Sequence, residues 1–435
     1  MTRLGLVLMF VASCAAPEPR VVTLTPNADL GWRATPPALE PGLPFRGPAV
    51  QTGVLPNNMT VAVVERHRLP VFAIHIVIQA GSADDPPGSP GCAATYAELL
   101  CPGLTVNTTV DALTISATVL DSPDRILVKA LQCLRDFSVD ESTIKAARNA
   151  IDLRAKGSSV EAEVHETLYP EHPYGHLARG TKEGRSALTP STIKQFHHDH
   201  IVPERIAVIV VGPVTLSAVK RWSDEALGNW APTAVDRPLV PAAPEVHGQL
   251  RFLAQPGSPR VVLNAVASGV PRRHPDALAL SLGSAIIGRR LNAGIDALDL
   301  RVGFASRRGP GTLRIQAIAA SERAAELRTA IIAELESPTV TEGELDLARR
   351  DYRNRLPAQL QTGEATAGVL GALFATGLPL DYFTALPEKL ATLEATDVTR
   401  VVRAHFDPDR LSFVATGDPS LLSELGASIG NASGD

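Results

Sequence analysis

Aromatic residues are scarce in this chain of 435 residues: Phe, Tyr and Trp together make up 4%. The core must therefore be built from Val, Leu, Ile and Ala, and platforms for stacking nucleic-acid bases are few. Basic residues are not in excess either. Lys and Arg number 41 against 46 Asp and Glu, a formal net charge of −5, which argues against phosphate neutralisation along a nucleic acid. Beyond the first residues, no apolar run reaches the ~18 residues needed to cross a bilayer. Cysteine is rare, and Cys92, Cys101 and Cys133 match no zinc ribbon or CxxC spacing. They leave room for one disulfide or for buried thiols behaving as small hydrophobes. No GxGxxG or Walker sequence occurs. What remains is a globular composition, with 45% hydrophobic and 20% charged residues, long enough for two or three domains.

The first residues look like an address. Met1-Thr2-Arg3 is followed by an apolar stretch from Leu4 to Ala12, too short to span a bilayer and suited to a signal-peptide core. Val11-Ala12-Ser13 before Cys14 resembles a bacterial lipobox, in which the Cys is lipidated. The competing reading is a plain secretory signal with an incidental Cys. Residues 15–48 carry eight prolines and read as an extended tether. The expectation is a signal peptide over 1–14 and a lipid anchor at Cys14, in the bacterial cell envelope. Ala15 after the Cys, in place of Asp, resembles sorting to the outer membrane, facing the periplasm.

The rest of the chain repeats itself. Pro190-Ser-Thr-Ile-Lys-Gln-Phe-His-His-Asp-His200 leads through Pro203 and Arg205 into an apolar run ending at Gly212. Ala395-Thr-Asp-Val-Thr-Arg-Val-Val-Arg-Ala-His405 leads through Pro408 and Arg410 into another ending at Gly417. Each reads as helix, Pro-marked turn and buried strand. Val139-Asp-Glu141 and Val340-Thr-Glu342 both open helical patterns, with Asp140 and Thr341 as N-caps. The strand patterns after Pro70 and Pro259 form a third pair. Long amphipathic helices are predicted over 321–336 and 341–355. The domains are thus 49–228 and 246–430, joined by a linker at 229–245 containing Pro241-Ala-Ala-Pro244. The order of strands, helices and strands predicts an α+β fold of two duplicated half-domains, each a mostly antiparallel sheet covered by helices.

With the duplication in view, further segments resemble the insulinase/pitrilysin family of metallopeptidases, in its two-domain, processing-peptidase-like branch. These are Gln79-Ala-Gly-Ser82-Ala-Asp-Asp-Pro-Pro-Gly88-Ser-Pro-Gly91, Tyr169-Pro-Glu-His-Pro173-Tyr-Gly175, and Gly180-Thr181. The resemblance spans nearly all of 50–425 and implies metallopeptidase-like half-domains. It also implies an inverted zinc motif, His-x-x-Glu-His, on the helix after Gly91, where residues i and i+4 share a face and the Glu polarises zinc-bound water.

At those positions the motif is missing. The first His position is Ala94, the base is Ala97 and the second His is Glu98. The third ligand position falls on Arg154, with Asp152 as the alternative. The first half is also shorter than the second, and the resemblance puts the shortfall between Cys101 and Asn107, where active relatives carry a strand-helix segment. In the second half, the Arg and Tyr that bind the substrate carbonyl in some relatives fall on Ala297 (or Asp296) and Phe304. The resemblance therefore predicts a catalytically degenerate member, with no cofactor and no catalytic residue.

Three functional readings follow. The first is a non-catalytic envelope lipoprotein acting as a peptide-binding or partner subunit of an active zinc peptidase. Val106, Asn107, Thr108, Thr109, Val110 and Asp111, with the alternation onward to Val119, are the candidate edge strand for adding an extended peptide. The second is an active zinc endopeptidase with a non-standard metal site. The third is a purely structural lipoprotein. Other patterns carry little. Leu168-Tyr-Pro-Glu171-His172 has Leu in place of the first His and a helix-breaking Pro170. His165-Glu166 and Glu171-His172 sit near each other in sequence only, and His197-His198-Asp199-His200 could hold a metal adventitiously but has no catalytic base nearby on the right face. Gly426-Ala-Ser428-Ile-Gly430 mimics a nucleophile elbow without a following helix.

Overall fold

The computed structural model describes residues 45–425 except 156–158, 234–236, 247 and 337. The signal peptide, Cys14, most of the tether and Gly426–Gly430 lie outside the described residues.

In the first half, strands β1 (Gln51–Val54), β2 (Thr60–Glu65) and β3 (Phe72–Ile78) precede helix α1 (Cys92–Leu99). Strands β4 (Thr105–Thr108) and β5 (Leu113–Val119) follow. Next come α2 (Pro123–Arg135), α3 (Glu141–Arg154), α4 (Ser159–Leu168), α5 (Lys182–Ser186), α6 (Pro190–His200), β6 (Ile206–Gly212) and α7 (Leu216–Leu227). The second half runs β7 (Leu250–Ala254), β8 (Arg260–Ser268), α8 (Ala277–Gly294), β9 (Asp299–Ala305), β10 (Thr312–Ala320) and α9 (Ala324–Leu335). It continues with α10 (Glu342–Gln359), α11 (Gly363–Ala375), α12 (Tyr382–Thr392), α13 (Ala395–His405), β11 (Ser412–Gly417) and α14 (Leu421–Leu425).

The strands form two sheets, ordered β1-β2-β6-β3-β5-β4 and β7-β11-β8-β10-β9. Apart from the parallel pairs β2–β6 and β7–β11, all neighbours are antiparallel. Without β1, the two orders superpose strand for strand, so the duplication seen in the sequence is also one of topology. β6 and β11 sit inside their sheets and are buried along their whole lengths. This is why Ile-Ala-Val-Ile-Val-Val reads as a continuous apolar run rather than an alternating one.

Local chemistry sets the helix starts. Asp140 accepts a hydrogen bond from the Thr143 backbone N–H at 2.9 Å, and Thr341 accepts from that of Glu344 at 3.3 Å. Each closes a reciprocal capping box. The predicted helix at 321 begins later, because Ser321–Arg323 forms a separate 3₁₀ turn. The helix predicted to end at 355 runs on to Gln359 with Pro357 in its last turn.

The halves exchange helices. One face of the first sheet packs Val61, Val63, Ile74 and Ile76 against Leu127 and Leu131 of its own α2. The opposite face, with Ala62, Ala73, Val77 and Ile209, is covered by α11 from the second half. In return, α4 of the first half lies on β11, β8 and β7 of the second sheet. There Val164 and Leu168 meet Leu253, Val266 and Val414. Small residues let α11 come close: a Cβ on Gly371 would stand 2.9 Å from Val77 Cγ2. His75 and Thr118 on the first sheet both bond the Glu364 carboxylate on α11, at 2.7 and 2.9 Å.

Candidate functional site

The segment Gly81–Gly91 delivers the chain into α1. Asp85 caps that helix by accepting from the Gly91 and Ala93 backbone N–H groups at 2.6 and 2.7 Å. Its side chain is almost wholly buried. Burial pushes the carboxyl up to about 7, against the pull of those two bonds. Gly91 has φ 104°, and a Cβ there would stand 2.8 Å from the Arg179 carbonyl oxygen. A Cβ on Gly180 would meet the Pro90 carbonyl oxygen at 2.1 Å. The two segments quoted for the family resemblance therefore lock together through glycines.

On α1, Ala94, Ala97 and Glu98 lie at i, i+3 and i+4 and share one face. Ala97 is buried and Ala94 half-buried. Glu98 reaches across to α3 and forms an ion pair with Arg154. Arg154 also donates from Nε to the Ala150 carbonyl oxygen at 3.0 Å. Asp152 turns to a different partner, Arg185. Of the two residues considered for the third position, the structure brings Arg154 to α1. Two methyl groups, one carboxylate and a guanidinium do not fit a zinc ion, because one oxygen donor is available and a fixed positive charge already occupies it. Among the described residues, no three His, Cys, Asp or Glu side chains converge as metal ligands.

Residues 187–352 match the family model described as "Peptidase M16 inactive domain". A solved structure of a peptidase M16 inactive domain from Pseudomonas fluorescens aligns with a TM-score of 0.74 at 21% identity, covering 85% of this chain and 98% of that one. A protease from Helicobacter pylori aligns with a TM-score of 0.74 at 16% identity, over 85% of this chain and 100% of the other. The periplasmic protease PqqL of Escherichia coli aligns at 12% identity with a TM-score of 0.72, over 90% of this chain and 50% of PqqL. A curated relative, the uncharacterized zinc protease YmxG of Bacillus subtilis, is 24% identical over 122 residues. That match covers 25% of this chain and 30% of YmxG.

The chain is insulinase-like.

Within this insulinase-like fold, α8, β9 and α10 of the second half repeat the arrangement of α1, β4 and α3. A second ion pair, Arg289 on α8 with Asp351 on α10, bridges the same two helices with the charges reversed. A cavity of about 890 Å³ opens beside it. Ala297 precedes β9 and Phe304 lies on β9. The Phe304 ring packs so close to Gly269 and Gly311 that a Cβ on either would stand 2.7 or 2.4 Å from its Cε2. The structure thus places Phe304 on the second sheet and Ala297 in the segment leading into it, while α1 packs against α3, β4, α5 and α6.

The proposed peptide edge divides in two. Val106, Asn107 and Thr108 lie on β4, which is the outer strand of the first sheet. Thr109, Val110 and Asp111 form the turn into β5, and β5 is internal, between β3 and β4. Asp111 faces inward, accepting from Tyr174 Oη at 2.6 Å and the Arg308 backbone N–H at 2.9 Å.

Of the histidines singled out in the sequence, His165 and His172 are buried, His197 and His200 are half-buried, and His198 is exposed. The His172 ring bonds the Pro241 carbonyl oxygen, and His165 that of Tyr174, at 3.1 and 2.8 Å. His197 bonds Tyr96 at 2.9 Å, His198 bonds Asp199 and His200 bonds Arg205. Sequence reasoning missed the cluster of Asp84, Asp111, Tyr174, Arg237 and Arg308 that joins the halves and the linker. Arg237 donates to the Asp111 carbonyl oxygen at 2.6 Å and pairs with Asp84 at 3.2 Å. No periodicity or motif signals such a cluster, since its members come from five separate segments.

Proposed function

We propose that this chain is a non-catalytic, insulinase-like lipoprotein of the bacterial cell envelope that serves as a peptide-binding or partner subunit of an active zinc peptidase. The observation that carries this reading is the Glu98–Arg154 ion pair across α1 and α3. It lies where the family resemblance puts the second and third zinc ligands, with Ala94 and Ala97 in place of the first ligand and the base. A guanidinium there repels a divalent cation, and an alanine offers neither a lone pair nor a proton acceptor. The match to a domain described as inactive supports the same reading. On this reading no zinc or other cofactor is required.

β4 supports the peptide-binding part. It is an edge strand beside α1, and its outer backbone groups can pair with an extended segment. Val106, Asn107 and Thr108 would form that ladder. Anchoring would come from lipid on Cys14, with the folded part held away from the outer membrane by the Pro-rich tether and facing the periplasm.

The test is metal content and company. The folded chain, produced with zinc in the medium and purified, is expected to hold no stoichiometric zinc and to cleave no unstructured peptide. It is expected to co-purify from its native envelope with a second insulinase-like chain bearing an intact His-x-x-Glu-His. About one zinc per chain, as a three-ligand site would retain, overturns the reading in favour of an active endopeptidase. A metal-free chain without any partner or peptide affinity leaves the purely structural lipoprotein.

A further inference from the structure

A cavity of about 750 Å³ opens at the joint of the two halves, away from α1 and α3. Its walls come from the linker (Pro238 to Ala243), the β8–α8 connection (Ser268 to His274), the loop before β10 (Arg308 to Pro310) and the end of α11 (Ala375 to Gly377). The volume falls in the range of small-molecule sites.

The lining is charged with one sign. Arg237, Arg273, Arg308 and Arg410 contribute guanidinium groups; His405 contributes an imidazole, and so does His274, which faces the Asp276 carboxylate at 3.9 Å. No Asp or Glu is among the described lining residues. Two of the four arginines are neutralised from behind the wall: Arg237 pairs with Asp84 at 3.2 Å, and Arg308 lies 3.5 Å from Asp84 and 3.8 Å from Asp111. The other two are not. Arg410 makes one long bond to the Ala404 carbonyl oxygen, at 3.5 Å. Arg273 has no hydrogen bond or ion pair among the described residues. Glu245 lines a small recess that shares His405 and Arg410, and no ion pair among the described residues joins it to either. Burial holds the His405 imidazole below its usual range, so at neutral pH it is an uncharged ring that can donate or accept.

Two exposed guanidinium groups without a carboxylate partner among the described residues line one concave space, with hydrogen-bonding rings beside them, and such a lining suits an oxyanion. The apolar lining of Pro238, Val240 and Pro241 from the linker, together with Val270, would take the remainder of a larger molecule. We propose that this cavity binds a small molecule bearing a phosphate-type oxyanion, held by Arg273 and Arg410. This site is separate from the β4 edge and does not depend on the reading of α1 as non-catalytic.

The test is calorimetric titration of the folded chain with inorganic phosphate and with pyrophosphate, at ionic strength held constant with sodium chloride. Saturable binding is expected, weakened about tenfold or more in Arg273→Ala/Arg410→Ala, since each guanidinium contributes a charge-assisted bond. Arg353→Ala/Arg355→Ala, on the exposed side of α10, is expected to bind as the unaltered chain does. Absence of saturable binding overturns the proposal. So does binding that both double variants retain, or that both lose alike. Should the first double variant misfold, Arg273→Gln alone is expected to weaken binding about threefold or more, and unchanged binding in that variant overturns the proposal.

Discussion

Glu98 and Arg154 sit on two helices, and the exposure of Arg154 limits what their contact contributes to stability. Arg154 is 64% and Glu98 30% exposed, so breaking the pair with Glu98→Gln should cost no more than about 1 kcal/mol, read from chemical denaturation. Its chemical consequence is larger than its energy. Ala94→His with Glu98→His would put two imidazoles on one face of α1, yet zinc uptake should stay negligible while Arg154 remains. Adding Arg154→Glu supplies the third donor and removes the cation. That triple variant should retain about one zinc per chain by elemental analysis.

Asp85 gives a second prediction at this scale. Its folded-state value of about 7 lies above the ordinary 3.8. Between those two values the folded chain holds a proton that the unfolded chain has released. This carboxyl therefore stabilises the fold most below pH 3.8, and its contribution is lost as pH rises through 7. The melting temperature of Asp85→Asn should accordingly fall less between pH 4 and 7 than that of the unaltered chain, as followed by circular dichroism. Cys92 and Cys101 are buried, and burial raises both thiols far above neutrality. Both should resist a thiol reagent at pH 8 until the chain is denatured, whereas half-buried Cys133 should react sooner.

At the scale of elements, close approach is what the glycines provide. Gly180 has φ 68°, and a Cβ there would overlap the Pro90 carbonyl. Gly180→Ala should destabilise by about 1–3 kcal/mol, measured by denaturant titration, because the segment leading into α1 cannot move away without losing the Asp85 cap. The caps at Asp140 and Thr341, the Pro-marked turns before β6 and β11, and the buried runs of those strands were all legible in the sequence, since each depends on residues within a few positions of one another. The edge strand was legible only in part. Val106–Thr108 alternate as a strand should, but the same apparent pattern through Asp111 is a turn, because Asp111 is drawn inward to Tyr174 and Arg308. Those partners lie far along the chain, and nothing local announces them.

At the scale of the whole molecule, the exchange of α4 and α11 makes each half part of the other's core. Either half alone would expose the sheet face that the missing helix covers. The intact chain should therefore melt in a single calorimetric transition, and residues 49–228 expressed alone should bind a hydrophobic dye and fail to melt cooperatively. Two transitions in the intact chain would contradict the exchanged packing. The same joint holds the Asp84–Asp111–Arg237–Arg308 cluster, so the linker is fastened across the halves rather than running free.

The sequence by itself determined the duplication, the α+β class, the helix starts and the absence of the inverted zinc motif. These follow from periodicity, cap chemistry and residue identity, all of which are local. Only the tertiary structure decided that Arg154 rather than Asp152 faces Glu98, that the halves trade helices, and that unbalanced arginines from distant segments line one cavity. Each of these depends on which surfaces meet after folding. Hydrophobic burial selects those surfaces without direction, through summed area and shape, and no short stretch of chain records the outcome.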